Sequence, residues 1–92
     1  MKVEYDPAKN ARNVRERGLS FERAAEFDFE TANIWLEDRG GETRRVAAGY
    51  LDGRLHILCY LRLPDAIRVI SFRKANDREA RKYGKPKTID RR

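Results

Sequence analysis

Ninety-two residues suffice for one domain with a single modest core and are too few for two. Lys and Arg outnumber Asp and Glu by 21 to 15, a formal charge of +6, while 40% of the chain is hydrophobic. Composition therefore excludes a disordered chain and favours an anionic partner: nucleic acid, an acidic protein or an anionic membrane surface. No apolar run approaches the roughly 20 residues of a membrane span, and no apolar stretch follows residues 1–5 as in a signal peptide. The lone Cys59 excludes an internal disulfide and a Cys-based metal site. A cytoplasmic protein is the simplest expectation.

In chain order, residues 3–5 read as a short edge strand. Asp6-Pro7 opens a helix, Asp as N-cap and Pro at the first helical position, where its missing N–H costs nothing. Ala8, Ala11 and Val14 recur at helical spacing, and Gly18 stops the helix. Ser20 caps a predicted second helix over 21–27, with Phe21, Ala24 and Ala25 facing inward. Two short helices cannot bury their own apolar stripes and need a sheet.

That sheet follows. Residues 31–38 alternate, with Ala32, Ile34 and Leu36 on one side and Asn33, Trp35 and Glu37 on the other. Arg39-Gly40-Gly41 is a turn, 44–51 a second strand, and Asp52-Gly53 a hairpin signal that demands positive φ. In the third strand, 54–62, Leu55, Ile57, Cys59 and Leu61 form an apolar face opposite Arg54, His56, Leu58, Tyr60 and Arg62. Leu63-Pro64-Asp65 turns into a β-branched strand, 67–72, which runs through Arg73-Lys74-Ala75 into a short helix. Asn76 with Glu79 three residues on forms a capping box, and Gly84 suits the C′ position.

The expected fold is α+β: two N-terminal helices on one face of an antiparallel sheet of about four strands, plus a C-terminal helix. Residues 1–84 make one domain, and 85–92 read as a basic, frayed tail. Arg73 and Lys74, held where strand meets helix, are where an anionic ligand is expected. The uncovered sheet face would carry Trp35, His56, Tyr60 and cations, a mixture suited to stacking bases and binding phosphates. Each position also has a plainer reading. Trp35 and Tyr60 fit half-buried strand aromatics, Arg73 and Lys74 solvated strand-end charges, and Cys59 core.

Several stretches, in order, resemble the BrnT-like toxins of bacterial type II toxin–antitoxin systems, small proteins with a RelE-like fold. They are Tyr5-Asp6-Pro7-Ala8-Lys9, Asn13, Arg17-Gly18 and Ser20-Phe21-Glu22 with Ala24 and Ala25. Glu42, Arg44 and Gly49 follow, and then Arg68-Val69-Ile70-Ser71-Phe72-Arg73-Lys74-Ala75 with Glu79, Arg81 and Tyr83. The match covers about residues 2–83. The chain departs from the pattern at Tyr5, where Trp is usual, at Arg17, where His is common, and at Thr43 and Leu63.

The resemblance implies a metal-independent endoribonuclease, without cofactor, that slows translation until a cognate antitoxin binds it. The antitoxin would carry a dimeric DNA-binding domain, so operator DNA would be bound only through that partner. The 2′-hydroxyl of RNA attacks the adjacent phosphorus, so the protein must position the strand, stabilise added phosphate charge and move protons. Arg44, Arg68, Arg73 and Lys74 are the expected charge stabilisers, Glu42 the general base, and His56 or Lys9 the proton donor. Trp35 and Tyr60 would stack a base, with Arg62 beside them. Arg68 also fits a structural cation paired with Glu42 or Glu79, Glu42 a turn acid, His56 a strand filler and Lys9 a solvated helix position. The alternative to an enzyme is an inactive toxin-fold module that binds nucleic acid or an antitoxin through its basic face.

Overall fold

The computed structural model describes residues 1–89. In chain order these form β1 (Lys2–Glu4), α1 (Pro7–Arg17), a 3₁₀ helix (Phe21–Glu26), β2 (Asn33–Arg39), β3 (Glu42–Leu51), β4 (Arg54–Arg62), β5 (Ala66–Lys74) and α2 (Asp77–Tyr83). The strands make one sheet in the order β1-β5-β4-β3-β2. All neighbours are antiparallel except β1, which runs parallel to β5 through Lys2↔Ala66, Val3↔Ile67 and Glu4↔Arg68. The sheet therefore has five strands and not about four.

Helix α1 starts as its sequence requires, the Asp6 carboxylate accepting the Ala8 N–H at 3.0 Å, and ends at Gly18 with φ 65°. Its expected apolar face is not the face that docks. None of its residues is buried, and Val14 is 45% exposed. Asparagines hold it instead. Asn10 Oδ1 accepts the Phe21 N–H at 2.7 Å, and Asn13 Nδ2 donates to the carbonyls of Leu19 (2.9 Å) and Phe72 (3.0 Å). β1 ends opposite Arg68, so the outer edge of β5 beyond it lacks a strand partner, and Asn13 satisfies one of its carbonyls.

The expected second helix is a six-residue 3₁₀ helix, capped by Ser20. With three residues per turn, Phe21, Ala24 and Phe27 line up on one side, and all three are buried, whereas Ala25 is exposed. They pack on Ala47, Leu51, Leu58, Tyr60, Val69 and Phe72 to form the larger core. Gly49 permits this close approach: a Cβ there would lie 2.6 Å from the Phe27 ring and 2.9 Å from Ala32 Cβ.

The opposite face is covered too, so the expectation of helices on one face only is corrected. Helix α2 lays Ala80 and Tyr83 against Val46, Ala48, Tyr50, Leu55 and Ile57. Tyr83 stacks on Trp35 with ring centroids 4.8 Å apart. Strand register also separates the aromatics expected together. Trp35 pairs with Val46 and Val46 with Cys59, so the even-numbered positions of β4 point the other way. His56 and Tyr60 lie in the larger core side, 3% and 5% exposed.

The tail is not frayed over its described part. Leu55 N–H donates to Lys87 O at 2.7 Å, Ile89 N–H to Gly53 O at 2.8 Å and Tyr50 OH to Pro86 O at 2.8 Å, strapping 85–89 across the β3–β4 turn. The remainder of the expected tail, 90–92, lies outside the described residues. No described helix is long and apolar enough to cross a membrane.

Candidate functional site

A cleft of about 630 Å³ opens where the C-terminus of α1 overhangs the β3–β4 turn and the end of β5. That volume falls in the range of small-ligand sites. Arg17, Gly18, Leu19, Arg23, Leu51, Asp52, Arg54, His56, Arg73 and Lys74 line it. Several are placed by local structure. The left-handed Gly18 turns the chain back so that Arg17 overhangs the cleft, the Asp52-Gly53 turn sets Arg54 at the start of β4, and register pairs His56 with Lys74.

Two of the five cations are already engaged. Arg23 donates to Glu26 (3.0 Å) and Asp52 (2.7 Å), and Arg73 makes a bidentate pair with Glu79 at 2.8 and 2.7 Å. Arg54 is held by carbonyls, those of Leu55 at 2.6 Å and Ala75 at 2.9 Å, which fix its position without cancelling its charge. Among the described residues, none of the ion pairs involves Arg17, Arg54 or Lys74. With five cations against one carboxylate in its lining, the cleft is electropositive.

His56 sits in its floor. Burial, opposed only in part by its hydrogen bond to the backbone, pushes its pKa below the ordinary 6.5, and the nearby Arg54 and Lys74 charges push it further down. The ring is neutral at pH 7. Nδ1 lies 2.7 Å from Arg54 O, which can only accept, so Nδ1 carries the proton and Nε2 keeps its lone pair. No described side-chain nitrogen or oxygen is both buried and unpartnered, so Nε2, for which no described partner is seen, is not wholly buried, and His56 lines the cleft. A neutral imidazole with a free lone pair is chemically suited to accept a proton.

The other predicted residues lie elsewhere. The four expected charge stabilisers, Arg44, Arg68, Arg73 and Lys74, do not share one face: Arg73, opposite Ile57, reaches Glu79 of α2, while Lys74 lies opposite His56. Arg44 and Arg68 are on the α2 side with Leu61, and Lys74 pairs with His56 on the opposite side. Glu42 accepts from Arg44 at 3.1 Å near the β2–β3 turn, on the face away from His56. Trp35 is stacked on one face by Tyr83 and donates to Glu37 at 3.2 Å, which leaves less of its ring for a base. Tyr60 packs edge-on against Phe29, and with Arg62 it borders a third groove shared with Arg45 and Ile34. Lys9 lines a neighbouring cleft together with Arg73. Cys59 is half-buried, and burial raises its thiol pKa, as suits a core position. Arg17 and Arg54 were not singled out as site residues from the sequence; the basic-Gly turn and the Asp-Gly hairpin beside them were the signals available.

Comparison with known proteins agrees with this architecture. Residues 5–79 match the family model described as ribonuclease toxin, BrnT, of type II toxin–antitoxin system. The 1.1 Å crystal structure of the Brucella abortus ribonuclease toxin BrnT superposes with a TM-score of 0.66 at 25% identity, covering 84% of this chain and 99% of that one. No curated protein matches the sequence.

Proposed function

Because the chain belongs to the BrnT family of ribonuclease toxins of type II toxin–antitoxin systems, we propose that it cleaves RNA in the cleft around His56, without a metal ion. The observation that carries this is a neutral imidazole in the floor of an electropositive cleft. His56 Nε2 removes the proton of a 2′-hydroxyl, and the freed oxygen bonds to the adjacent phosphorus. The bond from phosphorus to the 5′-oxygen breaks, and that oxygen takes a proton from the Lys74 ammonium. The products are a 2′,3′-cyclic phosphate and a 5′-hydroxyl. Arg17 and Arg54, with Lys74, stabilise the charge added at phosphorus, the contribution worth most in such sites.

The family implies an RNA target and an antitoxin partner. Cleavage in the cytoplasm would slow translation, and an acidic segment of the antitoxin would neutralise the toxin by covering the cleft, with operator DNA contacted through the antitoxin alone. The test is incubation of the purified chain and of His56→Gln with an end-labelled RNA. The native chain should yield cyclic-phosphate ends and the variant very few. RNA left intact by the native chain sinks the enzymatic reading. One observation favours a binding module instead: Arg73 is committed to Glu79 and not free for a phosphate. That reading predicts salt-sensitive RNA binding with no cleavage.

A further inference from the structure

A second cleft, about 300 Å³, lies along the unpaired outer edge of β5, lined by Lys9, Arg12, Asn13, Glu16, Arg17, Phe21, Ile70, Ser71 and Arg73. The five α1 residues 9, 12, 13, 16 and 17 have the spacing of one helical face. It is the face that docks, because Asn13 bonds to the Phe72 carbonyl and fixes the helix at that edge. Lys9 and Arg12, both exposed, are thereby carried on the helix face that borders this cleft. Among the described residues, none of the ion pairs involves Lys9, Arg12 or Glu16. Arg17 and Arg73 border both clefts.

We infer that the two clefts form one track for single-stranded RNA, in which Lys9 and Arg12 hold the backbone phosphates flanking the bond cleaved near His56. This deepens the ribonuclease reading and rests on it for the identity of the ligand. From Lys9 to Arg17 the helix rises about 12 Å, enough for more than one nucleotide. Arg17 is the hinge of the track: unpaired with any described carboxylate, it presents its charge where one cleft passes into the other. A strand crossing it meets cations on both sides. The β5 edge supplies backbone groups and the Ser71 hydroxyl, and these contacts do not depend on base identity. The track therefore selects for length and charge and not for sequence in this segment.

The test uses the full chain, a non-cleavable 2′-O-methyl octanucleotide and the corresponding dinucleotide, with binding followed by fluorescence anisotropy over a salt series. Arg12→Ala should weaken octanucleotide binding by about tenfold and reduce the salt slope by about 0.7, one lost phosphate contact on a single strand. Arg15→Ala removes the same charge from an exposed α1 position that lines neither cleft, and should change binding by less than about twofold. Circular dichroism confirms that both variants fold. The inference is overturned if the two variants behave alike, which is bulk charge only, or if the native chain binds the dinucleotide as well as the octanucleotide. A native chain that discriminates Arg12 from Arg15 yet cleaves nothing retains the track and loses the ribonuclease reading. One that cleaves without discriminating does the reverse.

Discussion

Arg73 donates through both terminal nitrogens to the Glu79 carboxylate, at 2.8 Å to Oε1 and 2.7 Å to Oε2, and so ties the end of β5 to α2. Glu79 is also the capping-box residue of α2, its Oε1 accepting the Asn76 N–H at 3.1 Å while its own N–H donates to Asn76 Oδ1 at 2.8 Å. One carboxylate thus orients a guanidinium on the sheet, starts a helix and, through that helix, holds Tyr83 on Trp35. The helix has seven residues, too short to be stable alone, so this anchoring and the packing of Ala80 and Tyr83 determine whether it forms.

Glu79→Ala should therefore cost about 1–2 kcal/mol at neutral pH, combining a lost cap with a partly exposed bidentate pair. The sign of its pH dependence follows from the shift. The hydrogen bonds from Arg73 hold the Glu79 pKa below its ordinary 4.5, so folding binds the ionised form more strongly. That stabilisation is present above pH 4.5 and is lost as pH falls through the lower folded value. Urea denaturation at pH 7 and pH 3 should show the variant's deficit shrinking in acid; an equal deficit at both values would mean that the carboxylate charge is not what holds α2.

The pH dependence of His56 has the opposite origin. Its pKa is depressed in the folded chain, so between the folded value and 6.5 the unfolded state binds the extra proton. Stability is untouched above pH 6.5, falls as pH drops below it, and levels off once the folded state also protonates. If His56 Nε2 is the base, RNA cleavage loses activity over the same acid range with a midpoint below 6.5. His56→Gln should flatten that limb at a much lower plateau. An acid limb in the native chain centred at or above 6.5 would remove His56 from the role.

Much of this was legible in the sequence, and the part that was not has identifiable causes. Asp6-Pro7, Asn76 with Glu79, and the glycines at 18 and 84 mark helix ends through local chemistry, and the structure places α1 and α2 between them. Alternation separated the two faces of β2 and β4, whereas a register shift opposite Cys59 and Tyr60 breaks it in β5 and puts both Val69 and Phe72 in the larger core. What alternation cannot give is which face of one strand adjoins which face of the next. Trp35 and Tyr60 were expected on one surface, but the pairing Trp35↔Val46↔Cys59 places them back to back. The candidate cations divide for the same reason, Arg44 and Arg68 on one side and Lys74 on the other. Helix α1 misled because its alanines suggested an apolar docking face, whereas Asn10 and Asn13 dock it by hydrogen bonds to backbone. The step from α-helix to 3₁₀ over Phe21–Glu26 is set by the tertiary fit of Phe21, Ala24 and Phe27, which share a three-residue period.

Gly49 offers a test of that fit. Its backbone is extended and would accept any residue, but a Cβ would meet the Phe27 ring at 2.6 Å and the Asp28 carbonyl oxygen at 3.1 Å. The Phe27 ring is itself wedged against Phe29 and Phe72. Gly49→Ala should destabilise by about 1–3 kcal/mol as an overpacked core. Gly84→Ala, where no atom lies within 4 Å, should cost only the strain of a positive φ. Thermal melts of the two variants compare close approach with backbone conformation directly; equal losses would mean that the segment after the 3₁₀ helix can move aside.

The division of cations between faces yields the sharpest test of where the chemistry takes place. Lys74 lines the cleft with His56, and Arg68 lies on the far side of the sheet beside Leu61. Neither is part of an ion pair among the described residues, so each can be truncated without orphaning a described partner. Both changes remove one positive charge, and both weaken long-range attraction of RNA to a similar extent. Only one removes a cation facing the proposed base. Lys74→Ala should lower kcat by about 100-fold or more, with Arg68→Ala acting mainly on KM and reversibly with salt. Lys74→Arg should recover charge stabilisation but not the proton transfer assigned to the ammonium, since a guanidinium does not give up its proton in this pH range. Single-turnover cleavage of one oligonucleotide by the three variants separates these outcomes. If Arg68→Ala proves the more damaging to kcat, the reaction belongs on the α2 face and His56 is a buried strand residue with no part in it.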